Sequence, residues 1–346
     1  MSFPVLTILI RIFVLNAPNR TNRKAHVHLT PAALKPVGSS STHRNSMFFR
    51  AFQLPRIDRL ATLYVCHPLA KLTGWSSKNC VPILTYHSIS ENLFGKVHPY
   101  HQINTPVSVF ALQMKWLRQA GYRTIDLSQL LDGLESDQNL SMRFVLTFDD
   151  GYQDFYTDAF PLIRQCDFNA TVFLATDRIR DASVCVEGAD YLTWSQVREL
   201  HSQGISFGSH SVTHADLRSL RPEQIDYELG YSKESIEQRI GAPVESFSYP
   251  FALPEEDGDF IRYLADALEN IGYSNGVSST IGRAKQKGSR YFLPRLSVNS
   301  WDDVELLRAK VEGGYDWLHW PQWFYKFAHH NVALMAGRSF DQVGTR

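Results

Sequence analysis

Residues 144–151, Phe-Val-Leu-Thr-Phe-Asp-Asp-Gly, join an apolar run to two adjacent carboxylates and a glycine. The run from Phe144 to Phe148 has the length and composition of a buried strand. Asp149 and Asp150 stand where that strand ends, and Gly151 permits a turn. These carboxylates can form part of a functional site, but a lone Asp-Asp-Gly is also typical of a helix N-cap. The rest of the chain must decide between a functional site and an N-cap.

Two more predicted strands end in residues that can carry chemistry. His210 follows a strand predicted over residues 205–208, and His214 comes four residues later. A strand over residues 247–249 runs into Pro250-Phe251, where proline fixes the backbone. Each motif alone has an ordinary structural explanation. The three motifs in this order, on successive strands, are far more specific than any one of them.

The chain from Val81 onward alternates short apolar runs with helical patterns, which predicts an α/β fold built of βα units. No repeat of fixed period is found, so solenoid folds are disfavoured. The predicted strands are residues 81–86, 122–125, 144–148, 170–174, 205–208, 247–249 and 273–277. The predicted helices are residues 110–120, 194–201, 222–240, 259–271 and 301–311.

Composition narrows the class of protein. The 346 residues carry 35 basic and 35 acidic side chains, so the net charge is zero and no basic surface for nucleic acid is predicted. Four scattered cysteines without a CxxC pair indicate isolated thiols. Thirteen histidines favour imidazole and carboxylate ligands for any metal.

The three motifs together resemble those of the polysaccharide deacetylase family with the NodB homology domain, carbohydrate esterase family 4. The family's Thr-Phe-Asp-Asp-Gly motif stands at residues 147–151 and its His-Ser/Thr-x-x-His motif at residues 210–214. Its Pro-Tyr motif is matched by Pro250 with Phe251. Shorter family phrases agree at residues 84–88, 113–114, 121–122, 170–174 and 293–295.

The resemblance implies a distorted (β/α) barrel of seven or eight strands, with its chemistry at the carboxyl ends of the strands. We assign residues 81–312 to this NodB homology barrel and residues 47–80 to an N-terminal extension. Residues 1–46 are expected to be a flexible leader that the mature or true protein can lack, since Met47 is a second candidate start. Residues 313–346 form an aromatic C-terminal tail.

The resemblance also assigns roles to the motif residues. Asp150, His210 and His214 would bind a divalent metal, with zinc as the default and cobalt, nickel or iron fitting the same ligands. Asp149 would act as the base that takes a proton from the attacking water. The backbone N–H of Phe251 would help to stabilise the oxyanion, a task in which Phe can replace the family's Tyr because only the main chain acts.

Two roles fall on residues outside the three motifs. His87 is the candidate general acid, because one branch of the family places this histidine in an early Tyr-His motif and no histidine occurs between His214 and His319. Arg295 is the candidate for orienting the base, since the family's arginine before the Pro-Tyr motif is missing. A surface or barrel-closing salt bridge is an equally weighted interpretation of Arg295.

The resemblance therefore implies a metal-dependent hydrolase that removes N-acetyl groups from the amino sugars of a polysaccharide. The alternatives are a carbohydrate O-acetyl esterase, a cyclic amide hydrolase on the same fold, or a non-catalytic carbohydrate-binding domain. The expected partner is an N-acetylated polysaccharide or oligosaccharide, and no nucleic acid.

Two segments bear on membranes and compartment. The apolar stretch at residues 3–15 is too short to span a bilayer and lacks a convincing signal-peptide pattern, so the compartment stays open between cytoplasm and cell envelope. Trp317, Trp320, Phe324 and Phe327 recur at helical spacing. Packing of this stripe onto the barrel is the favoured interpretation, with a membrane-interface anchor and a sugar-stacking surface as alternatives.

Overall fold

A computed structural model describes residues 56–73, 80–91, 103–182, 185–186, 189–324 and 326–327. The predicted leader at residues 1–46 lies outside these residues. Contacts divide the chain into two units, Met1–Ile57 and Asp58–Arg346, and the second unit contains the whole barrel.

Seven parallel strands close into a barrel, in agreement with the predicted fold. Around the barrel the order is β2, β14, β12, β11, β10, β7 and β6, and β6 pairs with β2 to close it. β5 adds an eighth strand beside the beginning of β6. The strands are β1 Cys80–Val81, β2 Ile83–Tyr86, β3 Ser88–Ile89, β4 Asn104–Thr105, β5 Arg123–Thr124, β6 Arg143–Phe148, β7 Thr171–Leu174, β8 Cys185–Val186, β9 Ala189–Asp190, β10 Ser206–Ser209, β11 Ser246–Ser248, β12 Asn275–Ile281, β13 Ala284–Lys285 and β14 Leu293–Ser297.

Helices cover the outside of the barrel, and local sequence explains where they begin and end. Asp126 and Gln129 form a capping box at the start of α4, and Thr193 with Gln196 does the same at α6. The longest helix runs from Pro222 to Ile240, as predicted. The helices are α1 Ile57–Ala61, α2 His67–Thr73, α3 Val107–Gln119, α4 Leu127–Glu135, α5 Phe160–Gln165, α6 Trp194–Ser202, α7 Pro222–Ile240, α8 Gly258–Ile271 and α9 Val304–Val311.

Alternation along β6 sorts its side chains between two cores. Phe144, Leu146 and Phe148 belong to the large cluster that also contains residues of the covering helices. Val145 belongs to a second cluster with Ile83, Phe173 and the leucines of α4. Because Asp149 is an even number of residues after Val145, the same alternation directs it toward the barrel interior.

Some predicted elements differ from those observed. β14 was missed because Pro294 and Arg295 interrupt its apolar pattern, and proline is uncommon within a sheet. The strand predicted over residues 273–277 begins at Asn275 and continues to Ile281. The helix predicted from Trp301 begins at Val304, where the side chain of Asp303 caps it.

The segment before the barrel packs against α9 and the residues after that helix. The Arg59 guanidinium donates two hydrogen bonds to Asp303 at 2.8 and 2.7 Å. The Tyr315 hydroxyl donates to Asp58 at 3.0 Å, and the Trp317 indole N–H donates to Thr62 at 3.0 Å.

The aromatic side chains predicted to pack onto the barrel from the C-terminal tail do so only in part. Trp317 packs against the core, whereas Trp320, Phe324 and Phe327 are exposed. Within the described residues, no helix has the length and apolar character needed to cross a bilayer.

Gly276 in β12 lets two backbone segments approach closely, which yields a stability prediction. A Cβ added there would collide with the Tyr291 carbonyl oxygen, whereas a Cβ at Gly230 in α7 would meet nothing within 4 Å. Gly276→Ala should lower the free energy of unfolding by about 1–3 kcal/mol. Gly230→Ala should raise it by roughly 0.5–1 kcal/mol, because alanine is the better helix former. Urea unfolding of both variants checks this, and equal effects would contradict it.

Candidate active site

The three sequence motifs meet at one rim of the barrel. Asp149 and Asp150 follow β6, His210 follows β10, and Pro250-Phe251 lie just beyond β11. All three strands are parallel members of the barrel, so their carboxyl ends lie on the same side.

Asp150, His210 and His214 form a compact cluster of possible metal ligands. Oδ1 of Asp150 lies 3.2 Å from Nε2 of His214 and 3.7 Å from Nε2 of His210. One ligand atom from each residue lies within 4.8 Å of the other two. These separations suit ligands of one ion, because each ligand atom stands about 2.0–2.2 Å from zinc.

A hydrogen bond at Nδ1 of His210 leaves its Nε2 available to bind a metal ion. Its Nδ1 lies 2.7 Å from the Ser248 carbonyl oxygen. Because a carbonyl can only accept, Nδ1 carries the proton, and the lone pair of Nε2 faces Asp150.

Both histidines are held neutral, as a metal ligand must be. Burial lowers the pKa of His210, outweighing the carboxylates of Asp149 and Asp150. Burial and the neighbouring His210 lower the pKa of His214 to about 4. The donor set therefore fits a divalent ion such as zinc.

Asp149 does not belong to this cluster and pairs instead with Arg295. The two nitrogens Nη1 and Nη2 of Arg295 each donate to one carboxylate oxygen of Asp149 at 2.8 Å. Both side chains are buried, so the salt bridge of Arg295 is one inside the barrel and not one at its surface. Arg295 also donates to the Ser248 hydroxyl and the Ser278 carbonyl, each at 3.0 Å.

The environment keeps Asp149 ionised. Burial by itself raises the pKa of this carboxyl, but the charge and hydrogen bonds of the buried Arg295 guanidinium hold it well below its usual range. Asp149 is therefore a carboxylate at neutral pH.

The backbone is strained at four residues of the site. Asp150, Ser211, His214 and Phe251 have φ values of 72°, 65°, 58° and 61°. Non-glycine residues in this region cost about 1–3 kcal/mol each and persist only where surrounding contacts impose them. Two of these four residues, Asp150 and His214, are candidate metal ligands.

The remaining predicted residues also lie at this rim. His87 follows β2, and its Nε2 is 4.0 Å from Oδ2 of Asp149. Phe251 stands against His214 with ring centroids 4.9 Å apart, and its carbonyl accepts from the Ser279 hydroxyl at 3.1 Å. The catalytic roles assigned to His87 and Phe251 stay predictions.

Sequence analysis missed three residues of the site. The Arg178 guanidinium lies 3.3 Å from Oδ1 of Asp150, Ser248 contacts both Asp149 and His210, and Glu228 binds the backbone between the two histidines. Arg178 follows β7 at the same rim, so its position after a predicted strand could have marked it as a candidate site residue.

Asp257, one of the three acids at residues 255–257, has a structural role. It caps α8 by accepting a hydrogen bond from the Phe260 N–H.

The barrel and its rim define a class of protein, the α/β barrels with a candidate site at the carboxyl ends of their parallel strands. Comparison with known sequences makes the class specific. The sequence model of the polysaccharide deacetylase family matches residues 138–275. YxkH of Bacillus subtilis (strain 168), named as a candidate polysaccharide deacetylase, is 32% identical over 233 residues, which cover 67% of this chain and 76% of that protein. The chain therefore belongs to the polysaccharide deacetylase family.

A second relative matches part of the chain, and a solved structure has the same fold. The poly-β-1,6-N-acetyl-D-glucosamine N-deacetylase of Escherichia coli (strain K12) is 32% identical over 109 residues, which cover 29% of this chain and 16% of that enzyme. The Streptococcus pyogenes deacetylase PplD in complex with acetate has the same fold, with a TM-score of 0.58 at 23% identity. That match covers 68% of this chain and 99% of PplD.

The Asp149–Arg295 pair predicts a large effect for Arg295→Gln. This change leaves a buried carboxylate without its counter-ion, which costs about 3–5 kcal/mol of unfolding free energy at pH 7. Arg290→Gln is the matched control, since the Arg290–Glu135 pair is exposed and worth about 0–1 kcal/mol. Denaturant unfolding measures both.

The pH dependence follows from the depressed pKa of Asp149. The ionised Asp149 stabilises the folded state, and this stabilisation is fully present above the ordinary carboxyl pKa of about 3.9. It is lost as the pH falls toward the lower pKa that Asp149 has in the folded protein. The wild type and Arg295→Gln should therefore differ most near neutral pH and converge in acid. If Arg295→Gln were as stable as Arg290→Gln, Arg295 would not be the counter-ion that keeps the buried Asp149 ionised.

Proposed function

We propose that this protein is a metal-dependent hydrolase that removes N-acetyl groups from the amino sugars of a polysaccharide. The observation that carries the proposal is the juxtaposition of an Asp150–His210–His214 ligand set with a separate buried carboxylate, Asp149, on one rim. A binding domain needs no such pair, which disfavours the non-catalytic alternative.

The metal site is assigned to the Asp–His–His cluster. Two neutral imidazoles and one carboxylate leave coordination positions open, as a hydrolytic site requires. Zinc is the proposed ion, with cobalt, nickel and iron as alternatives for the same donors. A divalent ion held there supplies a Lewis acid that polarises the acetyl carbonyl and makes water more acidic.

Asp149 is proposed to accept the proton of the attacking water. Its carboxylate is ionised, buried and fixed by Arg295, so its orientation does not depend on solvent. Arg295 positions the base, and the Ser248 hydroxyl contacts both groups. Phe251 supports the oxyanion through its backbone N–H, for which no acceptor is found among the described residues.

His87 is proposed to protonate the departing amine. An amine leaves poorly without a proton, and imidazole can deliver one near neutral pH. His87 lies beside Asp149 and its side chain is partly exposed, so it can be reached from solvent.

Two observations support an N-acetylated polysaccharide as the substrate. The proposed base, metal and acid suit hydrolysis of an N-acetyl amide, and a relative is named for such a polymer. The E. coli relative is named for poly-β-1,6-N-acetyl-D-glucosamine, and we extend that polymer to this chain as the first substrate to test. Acetate release should be measured on poly-N-acetylglucosamine, chitin oligomers, peptidoglycan and O-acetylated glycans, with and without added zinc. Release only from O-acetylated glycans would favour the esterase alternative, and release from none would favour a binding domain.

The two adjacent acids should respond differently to the same substitution. Asp149→Asn should keep the bound metal and lose turnover by about 10²–10⁴-fold, because it removes a base. Asp150→Asn should lose metal affinity, because it removes a ligand. Elemental analysis and acetate release distinguish the two, and equal metal loss in both variants would show that the roles are wrongly divided.

The acid role of His87 predicts a dependence on the leaving group. His87→Ala should lower turnover of an N-acetyl amide by about 10²–10⁴-fold while the metal is retained. An activated acetyl ester should be affected much less, because its leaving group needs no proton. Equal losses on amide and activated ester would remove His87 from this role.

A further inference from the structure

Glu228 is a buried carboxylate that touches neither the Asp–His–His cluster nor Asp149. It lies in the second turn of α7, and its side chain is almost fully buried. One of its oxygens accepts hydrogen bonds from the backbone N–H groups of Val212 at 2.8 Å and Thr213 at 2.9 Å. The other oxygen accepts from the Thr213 hydroxyl at 2.7 Å. Three donors between the two candidate histidine ligands thus converge on one side chain.

The segment that carries these donors is strained at both ends. Ser211 and His214 have positive φ, so the segment needs outside contacts to hold its shape. On one side, the Ser211 and Val212 carbonyls accept from the backbone N–H groups of Thr176 and Asp177. Glu228 supplies the acceptors on the opposite side.

These contacts bear directly on the position of His214. His214 is the residue after Thr213, and its N–H donates to the Ser211 hydroxyl at 3.0 Å. His210, by contrast, has its ring fixed independently by the Ser248 carbonyl. A change in the 211–213 backbone would therefore move His214 relative to Asp150 while leaving His210 in place.

We propose that Glu228 is a positioning residue that sets the metal affinity of the site by fixing the backbone between His210 and His214. This inference rests on the proposed function, since it takes the cluster to be a metal site. Glu228 acts as a hydrogen-bond acceptor, so its charge is not what the metal requires.

This distinction predicts opposite results for two substitutions at Glu228. In Glu228→Gln the amide oxygen can accept from the Val212 and Thr213 N–H groups, and the amide nitrogen can donate to the Thr213 hydroxyl. In Glu228→Ala both backbone N–H groups are left buried without an acceptor.

The experiment measures zinc affinity of the full chain by competition with a chromophoric chelator. Glu228→Ala should bind zinc about 10–100-fold more weakly, which is the usual range for loss of a group that orients a ligand. Glu228→Gln should stay close to the wild type. Glu234→Ala is the matched control, because Glu234 is exposed on the same helix, and it should not change affinity.

A second measurement needs no metal. Hydrogen exchange of the metal-free protein should show faster exchange of a peptide spanning residues 210–214 in Glu228→Ala, with the rest of the barrel unchanged. Faster exchange throughout the barrel would indicate a merely structural role and overturn the proposal. Failure of the wild type to bind zinc would count against the proposed function, while the exchange result would still judge the positioning.

Other outcomes also decide the matter. Unchanged zinc affinity in Glu228→Ala would overturn the proposal, and so would a loss in Glu228→Gln as large as in Glu228→Ala. If Glu228→Ala does not fold, Thr213→Val removes only the hydroxyl donor. It should weaken zinc binding about five-fold, the equivalent of one hydrogen bond, and an unchanged affinity would overturn the proposal.

Discussion

The buried pair of Asp149 and Arg295 is the interaction on which the active end of the barrel depends. Arg295 enters the interior from β14 and donates to Asp149 beyond β6, to Ser248 on β11 and to Ser278 on β12. One guanidinium therefore connects four strands. Replacing such a pair by apolar residues is often neutral for stability, whereas removing one partner is costly. The pair is thus better explained by the fixed position it gives to Asp149 than by any stability it adds.

The sequence was sufficient for those site residues whose position depends only on their own strand. Asp150 and His210 follow predicted strands, and parallel pairing brings such strand ends to one rim. The contact between Arg295 and Asp149 could not be predicted in this way, because it depends on the register of β14 within the closed barrel. Because Pro294 interrupts the apolar pattern, that strand was not predicted. A salt bridge and orientation of the base were therefore equal alternatives for Arg295. The structure removes the surface version and pairs Arg295 with Asp149, the candidate base.

Glu228 and Ser248 show a different limit of sequence analysis. Along α7, Ile225, Leu229 and Ile236 lie on the buried face at helical spacing, and Glu228 falls on the same face. An acid on a buried stripe is a recognisable anomaly, but its partners are backbone N–H groups, which no side-chain pattern reveals. Ser248 acts on His210 through its carbonyl oxygen, so the identity of its side chain carries no signal for that contact.

Asp149 and Asp150 are adjacent in the chain, yet they occupy different environments for a reason that lies in the backbone. Asp149 continues the alternation of β6, so its side chain points into the barrel interior toward Arg295. At Asp150 the backbone turns to a φ of 72°, and the side chain leaves that interior for His210 and His214 at the rim. A carboxylate paired bidentately with arginine has little capacity left to bind a metal, whereas one beside two neutral imidazoles completes a ligand set. A single change of backbone conformation at the end of one strand therefore separates a candidate base from a candidate ligand.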